Sequence, residues 1–444
     1  MENNVSVASQ SPEPQAQRQA YGLDFASWLL LSTAVLAGVA GPAARFRALG
    51  PAEPVIGPSL LLQPDCPRLR LLLGRLLNEP LEFQNSLVRQ SSGLRGDLLE
   101  HAKFGGPLPT LHSDMSLPRG FRESYSAMLE SRNDDFNPEP DRIDALLRPM
   151  FLLTNPAHGI SDSLVANCHA GQALVSMLLE KPLPTAERQA LLRLLNGTMV
   201  ESDTKRSKAR VHQVAGGQIQ SLRASIIFQA NAISLKALAM DTELAAAFVM
   251  AVPAASGSKP ERLLAGGYYA DAIRQVVDAR RTGTFVEAQM RNRAKAMAFS
   301  RQHLEFLEDV ENANDPALTA FASLPMALGW ALRLLYPRSK EPDELILKHA
   351  VPVAHTLMQR QQKVLERLRK AEALAKKARD KARLVRRIGK GGPMTRRQVA
   401  RGLQQQSQAQ YGPLLQELIE DGVVKVDGRL LELASARKPA TARY

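Results

Sequence analysis

The sequence predicts an α/β protein, extended by a long helical stretch and closed by a basic module at its C-terminal end. Three observations lead there. In the first half, short apolar runs bounded by Pro and Asn alternate with segments of helical spacing, the pattern of strand–helix units. From 260 to 370 apolar residues recur mainly at three-to-four spacing. Near the end, a glycine break, a capping pair and an Asp-Gly turn between apolar runs follow one another closely.

Taken in order, residues 1–20 are polar and almost without bulky apolar side chains, so a disordered tail is expected. Residues 25–44 (FASWLLLSTAVLAGVAGPAA) carry no charge. A basic lead-in is lacking and Ser, Thr, Gly and Pro dilute the run, so a buried helix is expected rather than a signal or membrane segment. Residues 54–62 (PVIGPSLLL) read as a buried strand and 67–77, opening with Pro, as the next helix. Residues 101–142, rich in Pro, Gly and Asp, read as irregular connection with a short helix at 124–131. A strand is expected at 148–154, helices at 161–179 and 185–195, and a charged loop at 202–217. The clearest core strand is 222–229 (LRASIIFQ), followed by a helix at 234–240 and an apolar segment at 245–252. Helices are expected at 265–281, 286–313 and 316–335, then one long helix at 343–382, kinked or broken at Pro352. The domain boundaries that follow are 1–20 tail, 21–259 α/β domain, 260–370 helical region, 371–436 basic module and 437–444 tail.

Composition narrows the function classes. Hydrophobic residues make up 45% and charged residues 23%, which fits a folded protein rather than a disordered one. The two cysteines, Cys66 and Cys168, are far apart and in no metal-ligand spacing. That argues for a reducing, cytoplasmic compartment and against a disulfide framework or a zinc ribbon. The formal net charge is +13, and residues 360–444 alone hold 21 Lys and Arg against 8 Asp and Glu. The whole excess therefore lies in the last fifth of the chain, a distribution suited to a polyanion.

In the basic module a helix is expected to end near Ile388, broken by Gly389, Gly391 and Gly392. Thr395 and Gln398 form a capping box for the next helix, which runs to about Leu403. A third helix, regular from Pro413 and ending at Asp421, would put Leu414, Leu415, Leu418 and Ile419 on one face. Two strands, 423–426 and 429–433, turn at Asp427-Gly428. Helix, helix, helix and a two-stranded wing is the winged variant of helix-turn-helix, whose recognition helix docks in the major groove of DNA. On that reading the DNA-binding candidates are Arg396, Arg397 and Arg401 on the second helix, with Gln408, Gln410 and Tyr411 at the start of the third. Lys425 and Arg429 in the wing, and Lys376, Lys377, Arg383, Arg386 and Arg387 on the adjoining basic helix, complete the set.

The α/β portion lacks a phosphate loop. Where its first strand meets a helix the sequence reads LLLQPDCPRLR (60–70), with two prolines and no glycine to build an anion nest. His158, Cys168 and His169 make no nucleophilic pair, because adjacent helical residues diverge by about 100°. The carboxylates Asp114, Asp134, Asp135, Asp141 and Asp144, with His112, carry no clearer pattern, so neither enzyme activity nor a metal or cofactor is expected.

The layout nevertheless resembles the RecA-like helicase domain of bacterial plasmid and phage replication proteins, a family often fused to a primase. The features that carry the resemblance are the apolar helix 23–40, the strand 54–62, LLRLLNG (191–197) with Lys205-Arg206, the strand SIIFQ (225–229), and the helical tail with its terminal module, 344–444. The resemblance implies a RecA-like three-layer core with a degenerate nucleotide site, a helical connector and a C-terminal winged helix. Walker A is missing, and Asn167-Cys168-His169-Ala170-Gly171 stands where an acidic Walker B-type pair belongs. It further implies a homo-oligomer, since RecA-like domains commonly form rings, with DNA and replication proteins as partners and no membrane. The resulting expectation is a non-catalytic DNA-binding protein of a mobile element, acting in replication or its control. The alternatives are an ATPase or helicase subunit whose site is completed by a partner, with Arg68 and Arg70 as phosphate ligands, and a transcription regulator.

Overall fold

The computed structural model describes residues 24–63, 66–104, 152–154, 172–196, 223–253, 268–282, 284–402 and 408–434. The expectations for 1–20, 124–131, 155–171, 202–217 and 437–444 fall outside them. The chain divides into two units, residues 1–363 and 364–444.

The first unit is a mixed α/β body. Helix α1 (Phe25–Ala40) starts at Asp24, whose carboxylate accepts from the Ser27 N–H, and all 16 of its residues are buried. A helix apolar on every side belongs in an interior. At 16 residues it is also shorter than the roughly 20 that a bilayer core requires. Strands β1 (Ala44–Arg47), β2 (Glu53–Pro54) and β3 (Ser59–Leu62) follow, then α2 (Pro67–Phe104), β4 (Leu152–Thr154), β5 (Gln172–Leu179) and α3 (Thr185–Asn196). Next come β6 (Arg223–Ala230), α4 (Ala232–Met240), α5 (Thr242–Ala245), β7 (Phe248–Ala251), α6 (Tyr269–Thr282) and β8 (Val286–Gln289). Helix α7 (Arg293–Asn312), a 3-10 turn (Pro316–Phe321), α8 (Leu324–Leu335) and α9 (Pro342–Gly391) complete the series, α9 continuing into the second unit.

The main sheet has the order β4-β5-β6-β3-β7 and every pairing in it is parallel. All four residues of β3 and of β7 are buried, as expected of strands covered on both faces. Helix α1 packs on β5, β6 and β7 and also against α2, α6 and α8. That close crossing depends on small residues. A Cβ on Gly38 would lie 2.8 Å from the Leu174 side chain, and one on Gly57 would lie 2.9 Å from the Gly38 backbone N.

Among the described residues, each outer strand of this sheet is met by a buried glutamine. At β4 the Leu152 N–H donates to Gln84 Oε1 and Gln84 Nε2 donates to the Leu152 carbonyl, each at 3.0 Å. At β7 the Met250 N–H donates to Gln361 Oε1 at 2.6 Å, while Gln361 Nε2 donates to the carbonyls of Ala317 (2.8 Å) and Phe248 (3.4 Å). Each side-chain amide thus imitates the next strand's backbone and satisfies groups that an open edge would leave unpaired.

A second sheet, β2-β1-β8, corrects one expectation. Residues 286–289 form a strand, not the start of a helix, because β1 offers them a parallel backbone partner over four residues. Their side chains alternate buried and exposed, and Trp330 Nε1–H on α8 donates to the Val286 carbonyl at 2.9 Å. Residues 172–179 are likewise strand rather than the end of a helix. β5 pairs with β4 on one side and along all eight residues with β6 on the other. A short apolar run cannot by itself distinguish these two states. Three further expectations change: the helix expected at 67–77 runs on to Phe104 and takes in 101–104, read as irregular connection; the strand expected at 54–62 is confined to 59–62; and β1, β2 and α5 answer to no expected element.

The described residues of the segment expected as a helical connector, from Tyr268 onward, do not stand apart up to residue 363. They supply β8, and α6, α7, α8 and the first part of α9 share one apolar core with α1. Among the described residues one segment, Pro316–Leu335, is long and apolar enough to cross a membrane, and 67% of it is buried in the fold. Helix α9 continues through Pro352, where the Thr356 hydroxyl donates to the Pro352 carbonyl at 2.9 Å.

Replacing Gln361 by Leu keeps the volume but strands the Met250 N–H and two carbonyls. The expected result is a loss of about 2–3 kcal/mol, measured as a lower urea midpoint with an unchanged slope.

Candidate nucleic-acid interface

The second unit is built around the end of α9. Its Ala-, Leu-, Lys- and Arg-rich sequence is strongly helix-forming, and the helix stops at Gly391 because Gly392 takes a left-handed φ of 66°. Strand β9 (Met394–Thr395), α10 (Arg396–Gly402), α11 (Gln408–Glu420), β10 (Val424–Asp427) and β11 (Leu430–Leu433) follow. The three strands form an antiparallel sheet in the order β10-β11-β9. Leu384 and Ile388 of α9 join Met394, Val399, Tyr411, Leu415, Leu418, Val424 and Leu431 in one small core.

Local signals set most of these boundaries. The Thr395 N–H donates to Gln398 Oε1 (2.8 Å) and the Gln398 N–H donates to Thr395 Oγ1 (3.3 Å), the reciprocal bonds of a capping box. At the end of α11 the Val423 N–H donates to the Leu418 carbonyl and the Gly422 N–H to the Ile419 carbonyl. Gly422 has a φ of 70°, which completes a Schellman stop. Two expectations shift. Helix α11 begins at Gln408, so Pro413 lies inside it rather than in its first turn. Asp427 pairs with Leu430, so the turn residues are Gly428 and Arg429 instead of Asp427 and Gly428. Gly428 supplies the positive φ (58°) at the first central position.

The predicted contact residues separate into distinct groups. Arg396 and Arg397 are exposed in the first turn of α10, where positive charge opposes the helix dipole and so adds nothing to stability. Arg401 lies in α10 and Gln408 and Gln410 in the first turn of α11. Tyr411 is a correction: it is 5% exposed and part of the core, so it cannot reach a base edge. Lys425 is exposed but stands directly across the hairpin from Glu432, and Arg429 is exposed in the turn. The hairpin thus balances two cations with two carboxylates, Asp427 and Glu432. Helix α11 has no Lys or Arg and carries Glu417 and Glu420.

Helix α9 holds the excess. Residues 364–391 contain eleven Lys and Arg against three Asp and Glu. Lys377 is not available among them. It pairs with Glu417 at 2.6 Å, and its neighbour Lys381 bridges Glu417 (3.1 Å) and Asp421 (2.9 Å). These pairs flank the apolar contact of Leu384 and Ile388. Lys376, Arg383, Arg386 and Arg387 are exposed, as is Lys390, which a helix ending at Ile388 would have left out. Drawing the helix one turn further places Lys390 seven residues after Arg383, on the same side. Arg379 pairs with Glu372.

Among its described residues the first unit offers no comparable site. The β3–α2 junction brings Cys66 and Pro67 to the carboxyl end of the sheet, with Arg68 exposed and Arg70 half-buried. No glycine lies between Gln63 and Arg70. Among the described residues no three His, Cys, Asp or Glu side chains gather as a metal-binding group.

The Lys377–Glu417–Lys381–Asp421 cluster makes the docking of α11 on α9 pH-dependent. Lys377 and then Lys381 hold the Glu417 carboxyl below the usual carboxylate range. Asp421 and then Glu417 raise the Lys381 ammonium. A lowered carboxylate contributes above its unfolded value, about 4.3, and its contribution is lost as pH falls through the folded one. A raised lysine contributes below its unfolded value, about 10.4, and is lost as pH rises through the folded one. Protection of the α11 amides, taken as exchange relative to the intrinsic base-catalysed rate, is therefore expected to be highest between about pH 5 and 10 and to fall below that window, and Glu417→Gln should flatten the acid limb. No protein-family model matches this chain, and no curated protein matches it.

Proposed function

We propose that this chain binds DNA through its second unit, as a non-catalytic component of the replication, or the control of replication, of a plasmid, phage or other mobile element. The observation that carries the proposal is the location of the charge. The entire +13 excess falls within residues 360–444, and most of it is displayed on one small folded unit as exposed, carboxylate-free side chains. The order helix, short strand, helix, helix and hairpin supports reading that unit as a winged helix. An all-parallel sheet whose fourth strand, β6, lies beside its first, β3, agrees with the RecA-like layout of the first unit. The absence of glycine between Gln63 and Arg70 favours a scaffold without ATP hydrolysis. On this reading the RecA-like unit assembles copies of the chain, and other replication proteins are its partners.

The test is fluorescence anisotropy of the full chain against duplex, single-stranded and forked DNA across a salt series. Binding that weakens steeply with salt is expected, with forks held at least as tightly as plain duplex. Selective binding of one duplex sequence at constant salt would replace the replication role with transcriptional regulation. No binding to any of the three at 50 mM salt would contradict the proposal.

A further inference from the structure

The expected reading sends α11 into the major groove as the recognition helix. The charges argue otherwise. A helix with two glutamates, no cation and its one aromatic side chain in the core would bring negative charge towards phosphates. Among the described residues of the unit, the concentrated positive charge without carboxylate partners is on α9.

We propose that Lys376, Arg383, Arg386, Arg387 and Lys390 form a phosphate-binding track for double-stranded nucleic acid that does not read base sequence. The inference rests on the reading that the second unit binds nucleic acid, and it names the surface, the partner and the mode. Lys376, Arg383 and Lys390 succeed one another at intervals of seven residues, so they stack along one side of the helix, with Arg386 and Arg387 between them. From first to last the row covers about 21 Å at 1.5 Å per residue. That is the length of about six base pairs at 3.4 Å each. At 100° per residue its centre lies about 120° around the helix from the Leu384 and Ile388 face. The row therefore faces away from the small core, and the cations on the core side are the ones consumed by Glu417 and Asp421. All five side chains are exposed, and none is paired with a carboxylate among the described residues.

Two further observations choose the partner. Proteins that hold single strands combine cations with aromatic platforms for the bases. Among the described residues of the unit the one aromatic is Tyr411, which is buried, so they offer no platform for bases and the rigid spacing of duplex phosphates is the better match. A helix that lies on an anionic membrane inserts an apolar face beside its basic one. Here the apolar face, Leu384 with Ile388, is already covered by the unit's own core.

The test compares the full chain, the variant K376Q/R383Q/R386Q/R387Q/K390Q and the wing variant K425Q/R429Q. Two unrelated 20-base-pair duplexes, a single strand and phosphatidylserine vesicles serve as probes, and circular dichroism checks that each protein is folded. At about 0.9 of a log unit per phosphate, losing five contacts should reduce the steepness of log affinity against log salt by about 4.5. Duplex binding at 150 mM salt should weaken at least about 100-fold in the five-site variant and by less than about threefold in the wing variant, equally for both duplexes. Wild-type slope and affinity in the folded five-site variant would overturn the track while leaving DNA binding itself intact. Tighter binding of the single strand or of the vesicles than of duplex would overturn the choice of partner. Failure of the unaltered chain to bind any nucleic acid would overturn the proposed function, and the track with it.

Discussion

Helix α9 carries chemically different faces along its 50 residues, and the rest of the structure depends on keeping them apart. In the first unit it presents apolar residues such as Ile346 and Leu357 together with a buried amide, Gln361, that closes the edge of the parallel sheet. In the second unit it presents Leu384 and Ile388 to a core of about nine side chains, bordered by lysines that meet the carboxylates of α11. The remaining face holds Lys376, Arg383, Arg386, Arg387 and Lys390, with the Arg379–Glu372 pair beside them. Leu384 or Ile388 moved one position towards the N-terminus would turn about 100° and land in the cationic row. The separation is therefore a property of the sequence register itself.

The parallel sheet of the first unit shows how an edge can be finished without another strand. A side-chain amide has one donor side and one acceptor, the same pair that a strand residue offers its neighbour. Gln84 and Gln361 use this at opposite ends of one sheet, and both are almost wholly buried. Both amides come from helices of the same unit, and α1 packs against the sheet they close.

Much of the second unit was legible in the sequence because its signals are local. The Thr395–Gln398 pair, the Gly392 and Gly422 stops and the hairpin all act within five residues, and each is found close to its expected place. In the first unit the buried helix α1 and the strand SIIFQ were legible from composition alone. The misread segments, 172–179 and 286–289, are strands because distant backbone, β6 and β1, pairs with them. No local pattern carries that information. The same limit applies to the candidate interface. Adjacent lysines look alike in sequence, yet Lys377 meets Glu417 while Lys376 faces solvent, and only the packing of α11 separates them. Tyr411 was drawn towards bases by its position and belongs to the core by its surroundings.

On the proposed reading, charge and packing together narrow the expected contact set, which spanned α10, the start of α11, the hairpin and α9, to the long helix. Lysine acetylation of the full chain, followed by mass spectrometry with and without duplex DNA, tests this most directly. Duplex is expected to slow modification of Lys376 and Lys390 and to leave Lys425 unchanged. Protection of Lys425 with Lys376 and Lys390 still reactive would contradict it, returning the contact to the hairpin and α11.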